Sequence, residues 1–437
     1  MVQVLVRKKV DSEETLGTFI TKEDYSDILI EEDCDLYAES LDGTISEENI
    51  IFKFRKNAFT EEEMHNAYLG LREGATESQN RGIAAGPRGE QLGQEGRGNR
   101  DWVTAEQLEI LSFLSRPVNT FDDGTTVESI KESYLKAKDK DETRGTVWLR
   151  SAVTKKYPEY HGWFDKWLAG IHNLSREEQI KEATYVIENY ISETNYAQSV
   201  KSGIAGFFDR YPRIPYGRVC AYNDKNPEKF KMAFPYLEKL NAHFKELLPA
   251  RWGKQNEAAQ KLHPNFRVSN TVFTTLTINH NWRTACHRDA GDLHEGFSNI
   301  CGLTGPDNKG WKGAEFILPE YRIAVNLQPR DMLLVNNHAG IHGNDELIGG
   351  EEENDRLTLV CYFREKMLDL QSWEYEQLRK QFVEERRQNK DHEFWRPLWN
   401  GVSPSMWDTQ EWYDYMAAHN MEDPYKKAPA ASLDSFF

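Results

Sequence analysis

The chain of 437 residues carries 54 Lys and Arg against 71 Asp and Glu, a formal charge of −17, with 39% hydrophobic and 12% aromatic residues. That aromatic content argues against a disordered chain, and the length allows two or three domains with at least one sizeable core. The acidic balance disfavours broad capture of nucleic acid, so any such contact has to use a local basic surface. No apolar stretch is long enough to cross a bilayer, and the opening MVQVLVRKKVDSEE has no secretory apolar core. The five cysteines (Cys34, Cys220, Cys286, Cys301, Cys361) are odd in number and form no CxxC pair. A reduced, cytoplasmic protein without a structural zinc is expected, in a host cell if the protein is a phage's.

Residues 1–125 read as an N-terminal α/β region. Short β-like runs at 17–21, 28–30 and 50–54 alternate with acidic turns. Thr60-Glu61-Glu62-Glu63 then predicts a helix start, with the Thr as cap and the carboxylates at the positive end of the dipole. The stretch 72–100 is rich in Gly and Arg (Arg72, Arg81, Arg88, Arg97, Arg100) and nearly free of large apolar residues, which predicts a mobile loop. It reads either as a flap that grips phosphate or as a solvated insertion whose glutamates offset its arginines. A helical pattern resumes over 102–114.

Residues 126–200 read as a helical segment, with Tyr157, Tyr160, Trp163, Phe164 and Trp167 expected as core. Within 201–370, a helix is predicted over 227–248, where Phe234, Leu237, Leu240, Phe244 and Leu247 recur every three or four residues. After Pro264 the texture changes to β-branched runs at 268–279, 300–303, 314–318, 321–327, 331–336 and 356–363. Short strands with such punctuation point to a sandwich, jelly roll or barrel. Charged, Trp-rich helices come next over 371–424, then a flexible tail over 425–437. The expected fold class is α+β.

The sharpest local feature is Thr284-Ala285-Cys286-His287-Arg288-Asp289-Ala290-Gly291-Asp292. A His and an Asp two apart at a strand end can aim at one point. A second histidine arrives in Val335-Asn336-Asn337-His338-Ala339-Gly340-Ile341-His342, as His338 or His342. Two imidazoles and one carboxylate on one face of a metal form the facial triad of non-haem Fe(II) oxygenases. His-x-Asp alone is weak; a capped turn has the same pattern. The run Arg356-Leu-Thr-Leu-Val-Cys-Tyr-Phe-Arg364 adds weight. Its side chains alternate, putting Arg356, Thr358, Val360, Tyr362 and Arg364 on one face and an apolar set on the other. In an enzyme barrel the first face would line a pocket, where an Arg can clamp a carboxylate such as the distal one of 2-oxoglutarate.

These motifs, with Val272–Asn279, Trp282, residues 313–319, 324–331 and 341–344, resemble the dioxygenase domain of the TET/JBP family, above all its thymine-hydroxylating J-binding-protein branch. The resemblance covers 219–367, under half of the chain. It implies a double-stranded β-helix (jelly-roll, cupin-like) core flanked by helices, with a small β-containing N-terminal region. It also implies an Fe(II)- and 2-oxoglutarate-dependent dioxygenase that uses O2 to hydroxylate the 5-methyl group of thymine or 5-methylcytosine in DNA.

Position by position, the resemblance makes His287, Asp289 and His342 the metal ligands, with His338 as runner-up for the last. Arg356 would bind the distal carboxylate of 2-oxoglutarate, Thr358 would assist, and Arg283 would be a further co-substrate contact. Tyr362 would stack on the flipped base, with Asp292 and Arg364 at its recognition edge. The animal TET enzymes carry Asn and His at those last two positions, so the pattern departs from a cytosine-directed site. Rival readings are an oxygenase of free nucleotide, RNA or protein, and a non-catalytic jelly roll that binds modified DNA. The terminal Ser432-Leu433-Asp434-Ser435-Phe436-Phe437 is similar to the hydrophobic-acidic peptides that dock replication proteins on sliding clamps, which would compensate for the acidic charge.

Overall fold

The computed structural model describes residues 2–78, 81–86, 200–209, 216–289, 291–307, 310–349, 353–388 and 409–422, with isolated positions elsewhere. The expected loop over 87–100, the 102–114 helix, the 126–199 segment with Tyr157, Tyr160, Trp163, Phe164 and Trp167, and the 425–437 tail lie outside the described residues. The strands in chain order are β1 (Gln3–Arg7), β2 (Ile28–Ile30), β3 (Cys34–Ala38), β4 (Ile50–Arg55), β5 (Glu77–Ser78), β6 (Val200–Phe208), β7 (Arg218–Val219) and β8 (Thr275–His280). They continue with β9 (Ser298–Leu303), β10 (Lys312–Gly313), β11 (Phe316–Leu318), β12 (Ile323–Val325), β13 (Met332–Val335), β14 (Gly343–Asn344), β15 (Leu347–Ile348) and β16 (Leu357–Tyr362). The described helices are α1 (Lys22–Tyr25), α2 (Glu61–Leu71), α3 (Ala221–Lys225), α4 (Pro227–Met232), α5 (Phe234–Leu247), α6 (Pro249–Gln260), α7 (Trp373–Gln388) and α8 (Gln410–Ala418).

A large sheet runs in the order β1-β3-β4-β13-β9-β16-β8-β6-β5, with β7 beside β6, and a smaller one runs β14-β11-β12-β2. Strand alternation decides what each face of the large sheet meets. Leu276, Ile278, Cys301, Leu303, Met332, Leu334, Leu357, Leu359 and Cys361 point to the helical side. There they pack on Met64, Ala67 and Leu71 of α2 and on Leu237, Leu240 and Phe244 of α5. Phe52, Phe54, Ile300, Leu333 and Val335 point the other way, onto Phe316, Leu318, Ile323 and Val325 of the small sheet. Two sheets face to face with helices behind one of them make a jelly-roll core. Tyr375, Phe382, Trp412 and Met416 of α7 and α8 bury a separate cluster with Tyr216.

Several expectations are met residue by residue. Thr60 accepts the Glu63 N–H at 3.2 Å while the Glu63 carboxylate accepts the Thr60 N–H at 2.8 Å, a reciprocal capping box at the start of α2. The predicted 227–248 helix is interrupted at Ala233, between α4 and α5, because Pro235 sits in the first turn of α5 and has no N–H for a continuing ladder.

Others need correction. The N-terminal residues are not a β unit of their own. β4 pairs antiparallel with β13, Arg55 opposite Met332, and β2 pairs parallel with β12, Ile28 opposite Ile323, so both sheets of the core are extended by the first 60 residues. Residues 17–21 form no strand, since Gly17 turns at φ 78° and Thr21 caps α1 by accepting the Asp24 N–H. Nor is 72–86 a free loop. It holds the turn Arg72–Gly74, strand β5 on β6 and the turn Gly82–Ala85, with Ala84 and Ala85 buried. Small residues let this segment lie flat on the sheet: a Cβ on Gly203 would come 1.8 Å from the Gly74 carbonyl oxygen.

Candidate active site

His287 and His342 come from distant stretches and are joined by an isolated antiparallel bridge. Each donates its backbone N–H to the other's carbonyl, at 2.9 and 3.0 Å. The bridge brings one nitrogen of each ring and a carboxylate oxygen of Asp289 within 4.8 Å of one another, the one such group of three metal-competent residues among the described residues. The two Nδ1 atoms lie 2.8 Å from the Ala285 carbonyl and 3.1 Å from the Gly340 carbonyl. Backbone carbonyls only accept, so both rings carry hydrogen on Nδ1 and face Asp289 with Nε2. His287 Nε2 is 3.4 Å from Asp289 Oδ1, and His342 Nε2 is 3.9 Å from Oδ2. Asn337 fixes the carboxylate by donating from Nδ2 to Oδ2 at 3.1 Å.

A metal needs neutral imidazoles and an ionised carboxylate. Burial and the neighbouring His287 push His342 down to about 4, so it is neutral at pH 7. Burial would raise Asp289, but the His287 hydrogen bond and the two imidazoles outweigh it and hold the carboxyl at about 2. Burial also opposes charge on His287, yet the Asp289 hydrogen bond keeps it above the ordinary histidine value. Two fixed tautomers and an ionised carboxylate on one side of an open cavity fit a divalent metal of the facial-triad kind.

The cavity holds about 500 Å³ and is lined by the triad, Thr277, Asn279, Trp282, Ile300, Phe316, Leu327 and the polar face of β16. Arg356 enters it at one end. It is 2% exposed, and burial lowers its guanidinium to about 10, with only Glu315 opposing. Among the described residues its Nε has no hydrogen-bond partner, nor has the buried hydroxyl of Thr358. The Trp311 ring lies 5.7 Å from the Arg356 Cζ. Buried polar atoms left open in this way fit a carboxylate that the chain itself does not supply.

Tyr362, Asp292 and Arg364 line the other end. Burial and then the Asp292 charge push the Tyr362 phenol well up, so it stays neutral. Asp292 accepts from Ser298 Oγ at 2.5 Å, and burial and then Asp289 push its carboxyl well above the ordinary range. Arg364 is already paired through Nε with Asp209, just past β6, and its Cζ lies 4.1 Å from the Phe208 ring centroid.

Arg283 goes elsewhere, and the expectation of a co-substrate contact is corrected. Trp282 and Thr284 line the cavity, and Arg283 between them does not. It donates to the Ile20 carbonyl at 2.9 Å and lies over Phe19 at 5.0 Å. His338 also stays out of the triad; its Nδ1 meets the Asp289 carbonyl at 3.2 Å and its ring stands edge-on to His294. Sequence reading misses Asp209 and the cavity-lining Gly82–Ala84, and it names Arg81 only as one arginine of a flap that would grip phosphate, because no local pattern links them to the HxD segment.

Residues 204–365 match the Tet_JBP family model, described as the oxygenase domain of the 2OGFeDO superfamily. Among particular relatives, the chain is 34% identical over 168 residues to thymine dioxygenase JBP1-B of Trypanosoma cruzi (strain CL Brener), covering 37% of this chain and 19% of that protein. It is 36% identical over 172 residues to thymine dioxygenase JBP1 of Leishmania braziliensis, covering 38% and 20%. The chain thus spans about a fifth of the length of these curated relatives. Among solved structures, NgTET1 in complex with 5mC DNA matches with a TM-score of 0.33 and 15% identity, over 48% of this chain and 75% of that one. No described helix is long and apolar enough to cross a membrane.

Proposed function

We propose that this chain hydroxylates the 5-methyl group of a pyrimidine, thymine or 5-methylcytosine, in DNA. His287, Asp289 and His342 would hold Fe(II), and Arg356 with Thr358 would hold 2-oxoglutarate. The observation that supports it most is the convergence of a tautomer-fixed His-Asp-His group and an unpartnered buried guanidinium in one cavity. The match of residues 204–365 to an oxygenase family supports the same reading.

A pyrimidine methyl C–H is too weakly acidic for base chemistry, and bound iron with 2-oxoglutarate and O2 supplies the oxidising power. The chain's own residues do the rest. Asn337 and the two backbone carbonyls hold the ligand set in one orientation. Arg356 and Thr358 would fix the co-substrate's far end, in a cavity also lined by the apolar Ile300, Phe316 and Leu327. A base inside a duplex cannot reach this depth, so it has to be flipped out at a cost of a few kcal/mol. Tyr362 offers a ring for it to stack on, and Asp292 with Arg364 offers a polar edge. Asp292 offers acceptors and Arg364 donors, so either pyrimidine edge can be met.

The tail segment Leu433-Asp434-Ser435-Phe436-Phe437 would dock on a sliding clamp, and the setting would be cytoplasmic, in keeping with five buried free thiols. Deleting those five residues is expected to leave turnover on a short oligonucleotide intact. Equal loss there would make the tail structural.

The deciding experiment supplies Fe(II), ascorbate and 2-oxoglutarate to the full chain with thymine-only or 5-methylcytosine DNA and analyses nucleosides by mass spectrometry. Gain of one oxygen by either base is expected. Succinate release with neither base altered would overturn the DNA assignment.

A further inference from the structure

Four arginines line the cavity: Arg81, Arg288, Arg356 and Arg364. Two have carboxylate partners. Arg288 pairs with Glu13 and Glu320 at 2.6 and 3.1 Å, and Arg364 pairs with Asp209. Arg356 and Arg81 form no ion pair among the described residues, and the Nε of each is buried without a hydrogen bond. Arg356 is accounted for by the co-substrate in the reading above. Arg81 is not, and it comes from outside the matched segment 204–365.

The turn Gly82–Ala85 holds Arg81 in place. It is stitched to the chain that carries His287, since the Ala285 N–H donates to the Ala84 carbonyl at 3.0 Å. Gly86 closes the turn at φ 91°, against the Phe19 ring, where no Cβ would fit. The titratable groups nearest in effect to the Arg81 guanidinium are Tyr362 and Asp289, whereas Arg356 answers to Glu315. Arg356 and Tyr362 are six positions apart along an extended strand, roughly 20 Å. A five-carbon diacid anchored on Arg356 cannot stretch across that span. Arg81 therefore lies toward Tyr362 and Asp289, and an anion on it is not the carboxylate that Arg356 holds.

We propose that Arg81 receives a phosphate of the substrate next to the base that enters the cavity. The assignment rests on the reading of the site as a nucleotide-base oxygenase and adds the group that captures the nucleotide backbone. It also offers an anionic substrate a local cation in the cavity of a chain whose net charge is −17. A phosphate of a polymer and one of a free nucleotide share this chemistry, and the test separates them.

Full chain loaded anaerobically with Fe(II) and 2-oxoglutarate is titrated with a fluorescent thymine-containing oligonucleotide, and separately with thymidine monophosphate, over a range of salt. For Arg81→Gln, a loss of about 10-fold in oligonucleotide affinity is expected, with the slope of log K against log salt reduced by about one. Arg81→Lys should restore the slope, and calorimetric affinity for 2-oxoglutarate should stay within about twofold in both variants. Wild type binding the monophosphate but no polymer, with the same Arg81→Gln loss, assigns the phosphate to a free nucleotide. Wild type binding neither overturns the nucleotide reading itself and this inference with it. Wild type and Arg81→Gln binding alike, or a loss confined to 2-oxoglutarate, overturns the role of Arg81 alone.

Discussion

Arg356 and Arg364 flank the same strand, β16, and project from the same face into the same cavity, yet they are built differently. Arg364 has its counter-ion inside the protein, Asp209, and an aromatic ring beneath it. Arg356 has Trp311 nearby but, among the described residues, no carboxylate within ion-pair distance and an open Nε. A paired guanidinium is finished scaffold: it shapes the wall and presents whichever donors the pair leaves over. An unpaired one carries a desolvation cost that only an incoming anion removes. A difference in pairing thus separates the two ends of the pocket more sharply than residue type does.

Breaking the triad between those ends has the largest expected effect. His342→Ala removes one of three ligands, and turnover should vanish with metal affinity down by more than about 100-fold, read by anaerobic titration. Retained tight binding would move the distal ligand to another residue, His338 first.

Arg364→Met leaves the buried Asp209 carboxylate uncompensated, and the metal-free protein should lose about 3–5 kcal/mol in denaturant unfolding. Arg356→Met removes a cation that has no partner, so the metal-free protein should be no less stable. Affinity for 2-oxoglutarate should nonetheless fall by about 2–4 kcal/mol in free energy. If the two variants destabilise equally, the distinction between finished and open cations fails.

Asp331 is a third case, a buried carboxylate held by backbone N–H groups of Asn57 and Gln328 at 2.9 Å instead of by a cation. Burial outweighs those bonds and raises it to about 6 from an ordinary 3.8. The folded state therefore binds this proton more tightly, and the contribution to stability is full below about pH 4 and lost as pH rises through about 6. Between pH 5 and 7 wild type should lose about 1 kcal/mol more than Asp331→Asn does, measured by unfolding at both pH values.

How much of this can be read in the sequence depends on range. The HxD pair, a second histidine before a polar-faced strand and the Thr60 cap are local patterns, and each sits in the structure as its spacing suggests. Alternation along 356–364 correctly separates the cavity face from the helix-facing one. Arg283 defeats such counting because the chain between β8 and His287 is irregular, so facing cannot be taken from the motif. Asp209, Arg81 and the pairing of β4 with β13 bring together residues far apart in sequence, and nothing local in one sequence marks which distant partner a side chain or strand will meet. The Gly- and Ala-rich 72–86 looks unable to bury itself; small residues are what let it press onto the sheet.

The most direct measurement is anaerobic optical titration of the full chain with Fe(II) and 2-oxoglutarate, following the visible charge-transfer band that a chelated keto acid gives on ferrous iron. The account predicts one band, requiring both components, absent in His342→Ala and demanding at least about 10-fold more 2-oxoglutarate in Arg356→Met. A protein that binds neither component, or an Arg356→Met variant that titrates like wild type, would contradict it.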